Sequence, residues 1–241
     1  DYKLWVSNEF ANCLKWNDEL LVTPSTKQWD ADSVRKITAI TPSSDGTYTI
    51  ITVDNAITRS LPGQLGPGEP VFAVEVASLS RNVLFVAEDD DPEGSHIGGH
   101  FMVGWTPSVE QVIAGVKIVN FGQGGNLGRY PIHFHLSGVS PSTVAKNVIM
   151  DSNQRCILIH ATNGVTVDNN VCYKHKGHGI ATENSSEQNN IFKYNLIART
   201  YKLPNGQDNG QSDTAGKHNK HQAASYWIRN MKNEFIGNVA A

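Results

Sequence analysis

The 241-residue chain predicts an all-β fold: a right-handed parallel β-helix preceded by part of a smaller β-rich domain. Three observations carry this. Residues 128–136 read Gly-Arg-Tyr-Pro-Ile-His-Phe-His-Leu, where Ile132 and Phe134 alternate with His133 and His135; in a strand, one face is then core and the other holds imidazoles. The phrase recurs, since residues 156–160 lie over it at a shift of 25 and residues 179–183 lie over those at a shift of 23. Val148 with Val171, Asn147 with Asn170, and Arg155 with His178 are also 23 apart. A period near two dozen residues, short β-rich runs and no helical apolar spacing favour a β-helix over a leucine-rich horseshoe. The right hand follows the general preference of parallel crossovers.

The elements follow in order. Residues 1–78 are β without the repeat: runs at 19–23, 34–40 and 47–53 read as strands of a small sandwich or barrel, with Ser43-Ser44-Asp45-Gly46 as a turn and residues 61–68 as a closing loop. Residues 79–241 form the second domain, with a first coil at 79–86 and a later one at 116–121. Between them lie Asp89-Asp90-Asp91, a solvated loop or a weak calcium signal, and Gly98-Gly99-His100. A polar insertion at about 200–222 interrupts the coils and is placed to frame a groove. Coils resume at 223–228 and 233–239. The start at Asp1 without methionine and the stop at Ala241 suggest a piece of a longer ectodomain, truncated at the C-terminus.

The totals exclude several classes. Twenty Lys and Arg nearly balance 23 Asp and Glu, which speaks against a nucleic-acid protein. Between Arg129 and Arg199, seven Lys or Arg and five His face four Asp or Glu, a local bias that suits an anionic ligand. No apolar run is long enough to span a membrane. Cys13, Cys156 and Cys172 are too few for a disulfide framework; Cys156 and Cys172 occupy different repeat positions, so sequence leaves their pairing open. Asn184-Ser185-Ser186 is a glycosylation acceptor if the chain is secreted.

Stacked coils place His135, His160 and Glu183 in one outward column at ~4.8 Å spacing, with His133 on the same face. The sharp reading is a divalent metal held by His133, His135, His160, Glu183 and His178, with zinc, manganese and calcium as candidates. The plain reading is an exposed imidazole ladder. A second chemistry uses the same face on a sugar, with His135, His160, Glu183 and Arg155 as catalytic groups and Arg129, His178, Tyr226 and Trp227 against the substrate. Hydrolysis needs two carboxyl groups and only Glu183 is surely on the face; elimination beside a uronate needs a cation such as Arg129 or Arg155 and a base such as His135, His160 or His178. Each has a structural alternative: Arg155 and Arg129 as turn-holders, His100 as turn filler, and His175, Lys174 and Lys176 as a solvated bend. Alternation sends one of Tyr226 and Trp227 inward.

Residues 77–83 (Ala-Ser-Leu-Ser-Arg-Asn-Val), Gly98-Gly99-His100, residues 128–136, Arg155-Cys156 with His160, and Gly177-His178 with Thr182-Glu183 together resemble one family. It is the G8-domain and parallel β-helix family of the cell-migration-inducing hyaluronan-binding protein, its transmembrane hyaluronidase relative and fibrocystin-L. Residues 16–22 resemble the later part of a G8 domain. The resemblance implies an extracellular or cell-surface domain that binds an acidic polysaccharide of the hyaluronan type and, in the hyaluronidase-like members, depolymerises it. Fibrocystin-like members imply the alternative, a structural or adhesive ectodomain without turnover.

Overall fold

The computed structural model describes residues 2–24, 28–57, 74–88, 97–203 and 223–241. The loop at 61–68, the acidic triplet at 89–91 and residues 204–222 of the insertion lie outside the described residues. The chain divides into two compact units, Asp1–Ser80 and Arg81–Ala241. Leu79 and Ser80 belong with the first unit because the backbone N–H of Leu79 donates to the Glu19 carbonyl and the Ser80 hydroxyl accepts from the Glu19 N–H. The first coil therefore begins later than residue 79.

The first unit holds β1 (Lys3–Val6), a single helical turn α1 (Asn8–Ala11), β2 (Glu19–Val22), β3 (Ser33–Pro42), β4 (Thr49–Val53) and β5 (Val76–Ser78). Among the described residues they form one antiparallel five-stranded sheet in the order β1-β4-β3-β2-β5, where a small sandwich or barrel was expected. Ser7 caps α1 by accepting from the Phe10 N–H. The alternation of β4 sends Thr49, Ile51 and Val53 inward, where Ile51 and Val53 meet Leu4, Leu14, Leu20, Ile37 and Ile57.

The second unit is a parallel β-helix. A lone first strand, β6 (Val83–Val86), precedes five coils of three strands among the described residues. The coils are β7 (Phe101–Val103), β8 (Val112–Ala114) and β9 (Val116–Val119); β10 (Ile132–Val139), β11 (Thr143–Ala145) and β12 (Val148–Met150); β13 (Ile157–Asn163), β14 (Thr166–Asp168) and β15 (Val171–Lys176); β16 (Ile180–Thr182), β17 (Ile191–Lys193) and β18 (Leu196–Tyr201); and β19 (Tyr226–Trp227), β20 (Glu234–Ile236) and β21 (Val239–Ala240). Each position in the coil belongs to its own sheet, in the orders β19-β16-β13-β10-β7, β20-β17-β14-β11-β8 and β21-β18-β15-β12-β9-β6.

Inward residues stack into one apolar column system: Ile132, Ile157 and Ile180 on the first sheet, Val144, Val167 and Phe192 on the second, Ile118, Ile149, Cys172 and Ile197 on the third. Cys156 and Cys172 form a disulfide inside this core. Their different repeat positions sit on facing walls of the same coil, which period alone does not reveal.

At the corner before the third sheet runs an asparagine ladder. Asn147, Asn170, Asn195 and Asn238 occupy it, each preceded by a left-handed residue (Lys146, Asn169, Tyr194 and Gly237). The Oδ1 of Asn170 accepts from both the backbone N–H and the amide of Asn147, while its own amide donates to the Val144 carbonyl and to Asn195 Oδ1. The pattern repeats through Asn195 and Asn238. A primary amide offers two donors and a carbonyl, so it satisfies corner backbone groups that no strand reaches. Each buried partner left bare costs roughly 1–3 kcal/mol, so Asn170→Ala is expected to lower unfolding stability by at least about 2 kcal/mol, read as a lower urea midpoint; an unchanged midpoint would contradict the ladder's role.

Candidate functional site

The first sheet of the β-helix positions the candidate site. Parallel pairing in register sets His133 beside Leu158, Phe134 beside Ile159 and His135 beside His160, and sets Ile159 beside Thr182, so that Glu183 follows His160. Inward Ile132, Phe134, Ile157 and Ile159 are fully buried. Outward residues consequently fall into two columns, one through His133, Leu158, Ala181 and Trp227 and one through His135, His160 and Glu183.

Three imidazoles converge. One ring nitrogen from each of His133, His135 and His160 lies within 4.8 Å of the others. His160 Nδ1 is 3.1 Å from His135 Nδ1, and the His133 and His160 rings are parallel with centroids 6.2 Å apart. His133 Nδ1 donates to the carbonyl of Gly128 at 2.9 Å, which fixes its proton there and leaves a lone pair on Nε2. That Nε2 is buried and has no hydrogen-bond partner among the described residues. Gly128 presents this carbonyl from a left-handed turn with φ +85, a conformation glycine adopts at no steric cost.

The wall is less open than expected. Tyr130, Leu158 and Ala181 form a small apolar cluster on the outer side, with Trp227 packed against it. His133 is 1% exposed and Glu183 7%, while His135 and His160 are half-buried. Burial holds His133 at a pKa of about 3, with the neighbouring His135, His160 and Arg155 acting the same way against the Gly128 hydrogen bond. His135 is also lowered, by burial and then by His160, against the attraction of Glu183. His160 is lowered by burial and partly restored by Glu187. All three imidazoles are thus held toward the neutral form, whose lone pair binds a metal or takes a proton.

Glu183 closes the cluster on one side. Its Oε2 is 3.4 Å from His160 Nδ1 and its Oε1 is 3.7 Å from Arg155 Nη1. Arg155 is buried rather than exposed to a uronate. It is 5% exposed, donates to the Tyr130 hydroxyl at 2.8 Å and lies over the Tyr130 ring, because the corner before β13 folds it back along the sheet.

Among the described residues, His178 is not one of the imidazoles whose nitrogens converge. It sits at the corner before β16, not on the outward columns; its Nδ1 accepts from the Ala224 N–H and its ring stacks on Trp227. Of the two expected sugar-stacking residues, Tyr226 points inward, where its hydroxyl donates to the carbonyls of Asn195 and Val239 and burial raises its pKa. Trp227 is outward but half-buried between His178 and the apolar cluster. Arg129 is exposed and donates to His100 Nε2 at 2.7 Å, pairing two residues read separately from sequence. Gly98 and Gly99 let the segment before His100 pass close to residues 120–121, since a Cβ on Gly98 would lie 2.0 Å from the Asn120 carbonyl oxygen and one on Gly99 2.7 Å from the Phe121 ring.

His175, Lys174 and Lys176 are not a solvated bend. They lie in β15, with His175 fully buried beside Thr200 Oγ1, Lys176 bonded to Asn153 and Lys174 over the Tyr173 ring. Sequence reasoning missed three neighbours of the site. Tyr130 carries Arg155, Arg229 donates from Nη1 to the Glu183 carbonyl, and Glu187 accepts from the N–H groups of Ala161 and Asn184. The spacing of Glu187 four residues after Glu183, in the loop leaving the column, was the available signal.

Comparison with known proteins decides the lineage. A family model described as CEMIP beta-helix matches residues 96–241, more than half of the chain. The chain belongs to the CEMIP β-helix family. It is similar to a G8 domain-containing protein of Dictyostelium discoideum, 36% identical over 183 residues, covering 72% of this chain and 12% of that protein. It is also similar to the cell surface hyaluronidase of Danio rerio, 32% identical over 200 residues, covering 69% of this chain and 14% of the relative. The cell migration-inducing and hyaluronan-binding protein of Mus musculus is 28% identical over 220 residues, covering 75% of this chain and 16% of its own length. The chain thus spans a small part of these CEMIP and G8 relatives.

The buried imidazoles predict a pH dependence of stability. His133 and His175 both have folded pKa values of about 3 against an ordinary 6.5, burial being the main cause for each. An unfolded chain takes up these protons as pH falls through ~6.5 while the folded chain refuses them until far lower, so their contribution is complete above that pH and is lost on descent toward about 3. Urea midpoints are expected to fall between about pH 7.5 and about pH 4.5, less steeply in His175→Gln; parallel pH profiles for the variant and the parent would contradict the burial.

Proposed function

We propose that this chain is an extracellular or cell-surface β-helix domain, part of a larger ectodomain, that binds an acidic polysaccharide of the hyaluronan type at a metal-assisted site. His133, His135 and His160 are the metal ligands, and Glu183 lies beside them with its Oε2 3.4 Å from His160 Nδ1. One observation carries the metal reading: the buried Nε2 of His133 has no partner among the described residues while the opposite nitrogen is fixed by Gly128. A metal-ligating histidine characteristically bonds a carbonyl through its other nitrogen in this way. Three imidazole nitrogens suit zinc or another transition ion better than calcium, which takes oxygens.

When bound, such an ion supplies positive charge and Lewis acidity to a sugar carboxylate or hydroxyl. The chain's own residues do the rest. The exposed Arg129, paired with His100, lies in the turn that delivers Gly128 and offers a cation for a uronate. Depolymerisation is the finer part of the proposal. The names of the zebrafish and mouse relatives, a cell surface hyaluronidase and a hyaluronan-binding protein, support the choice of polymer. Arg155 and Glu183 favour a non-catalytic adhesive or structural role of the fibrocystin-L type, because their burial and mutual contact occupy both groups.

Metal analysis of the purified chain is expected to find a transition ion, with His160→Ala lowering its content while circular dichroism remains that of the parent. Unchanged stoichiometry in that variant would remove the site. Size profiles of hyaluronan incubated with and without chelator then separate the two roles: chelator-sensitive shortening supports depolymerisation, and retained binding with an unaltered profile supports the adhesive role.

A further inference from the structure

The loop that leaves Glu183 returns a second carboxylate beneath the column. Glu187 is fully buried. Its Oε1 accepts from the Ala161 N–H at 2.8 Å and from the Asn184 N–H at 3.0 Å. Ala161 immediately follows His160, and Asn184 immediately follows Glu183. One oxygen thus gathers the two corners that present His160 and Glu183 on successive coils. The other oxygen, Oε2, is buried without a hydrogen-bond partner among the described residues.

A corner cap alone does not account for this arrangement. Ala161 holds a left-handed φ of +44, a conformation that costs a residue with a Cβ on the order of 1–3 kcal/mol unless its surroundings over-determine it. Thr162 adds a second restraint by donating from Oγ1 to the His160 carbonyl, so the backbone on both sides of this corner is tied. The Glu187 carbonyl accepts from the Asn233 amide, which anchors the residue to the following coil. A neutral glutamine, equal in length, would serve both N–H groups without a buried, half-satisfied charge.

We propose that Glu187 is the positioning carboxylate of the imidazole cluster: it fixes His160 against Glu183 through their following residues and supplies the negative charge that favours a cation at the three imidazoles. This inference rests on the metal reading for its ligand and on the corner geometry for its mechanism. Loss of an outer carboxylate bonded to a ligating ring typically weakens metal binding roughly 10–100-fold; Glu187 acts through the backbone next to the ligand and through its charge instead.

The test uses the 241-residue chain with zinc as the probe. Glu187→Gln keeps an acceptor for both N–H groups and removes only the charge, so it is expected to fold as the parent and to bind zinc about 10-fold more weakly in a chelator competition. Glu187→Ala removes both and is expected to approach a 100-fold loss. In the metal-free protein, the imidazole 15N resonances of His160 are expected to report an altered tautomer balance in Glu187→Gln, with those of His175 unmoved. Parent-like zinc affinity together with unmoved His160 resonances in Glu187→Gln would reduce Glu187 to a corner cap and overturn the proposal. If the parent itself binds no zinc, the metal reading fails, and the His160 resonances alone decide whether Glu187 positions that ring.

Discussion

Parallel pairing of successive coils in register is the constraint on which the second unit depends. Every backbone N–H and C=O in a coil must find its partner one coil away, so a residue type that suits a position in one coil meets its counterpart at strand spacing in the next. Apolar residues then form continuous inward columns, and polar residues form outward ones. The corners cannot be satisfied by strands, and the asparagine amides stand in for the missing backbone groups. Left-handed residues just before each ladder position turn the chain so that the amide points inward.

The same constraint produces the candidate site. Histidines two apart in β10 and one coil apart between β10 and β13 are brought together because register leaves them no alternative. Their chemistry comes from what surrounds the columns. Tyr130, Leu158, Ala181 and Trp227 cover part of the outer face, and this partial cover depresses the histidine pKa values while Gly128 selects the tautomer of His133. An exposed ladder of the same residues would keep ordinary, water-bonded imidazoles. Burial also commits Arg155 to Tyr130 and Glu183, which takes it out of direct contact with a polymer in solution.

Family membership and geometry speak to different levels of function. The match over residues 96–241 places the chain in the CEMIP β-helix family, whereas the cluster of His133, His135 and His160 states what this region can do chemically. The chain covers only 12–16% of the length of these G8 and CEMIP relatives, so the family match by itself assigns it a fold and not their activity. The three imidazoles of His133, His135 and His160 all lie within the matched β-helix region.

What the sequence by itself determined was the parallel β-helix and the juxtaposition of His135, His160 and Glu183, because both follow from a period and a period is visible in one dimension. Asn147 over Asn170 was legible for the same reason. Tertiary structure alone decided which outward residues are covered: Leu158 and Trp227 roof the columns, His175 enters a strand, Tyr226 turns inward and His178 stacks at a corner. It also decided the Cys156–Cys172 bridge, the hold of Arg155 on Tyr130 and the reach of Glu187 to two corners. These contacts join residues at unequal repeat positions, across the coil or through its loops. Stacking periodicity relates only like positions, so such contacts are fixed by the three-dimensional path of the corners.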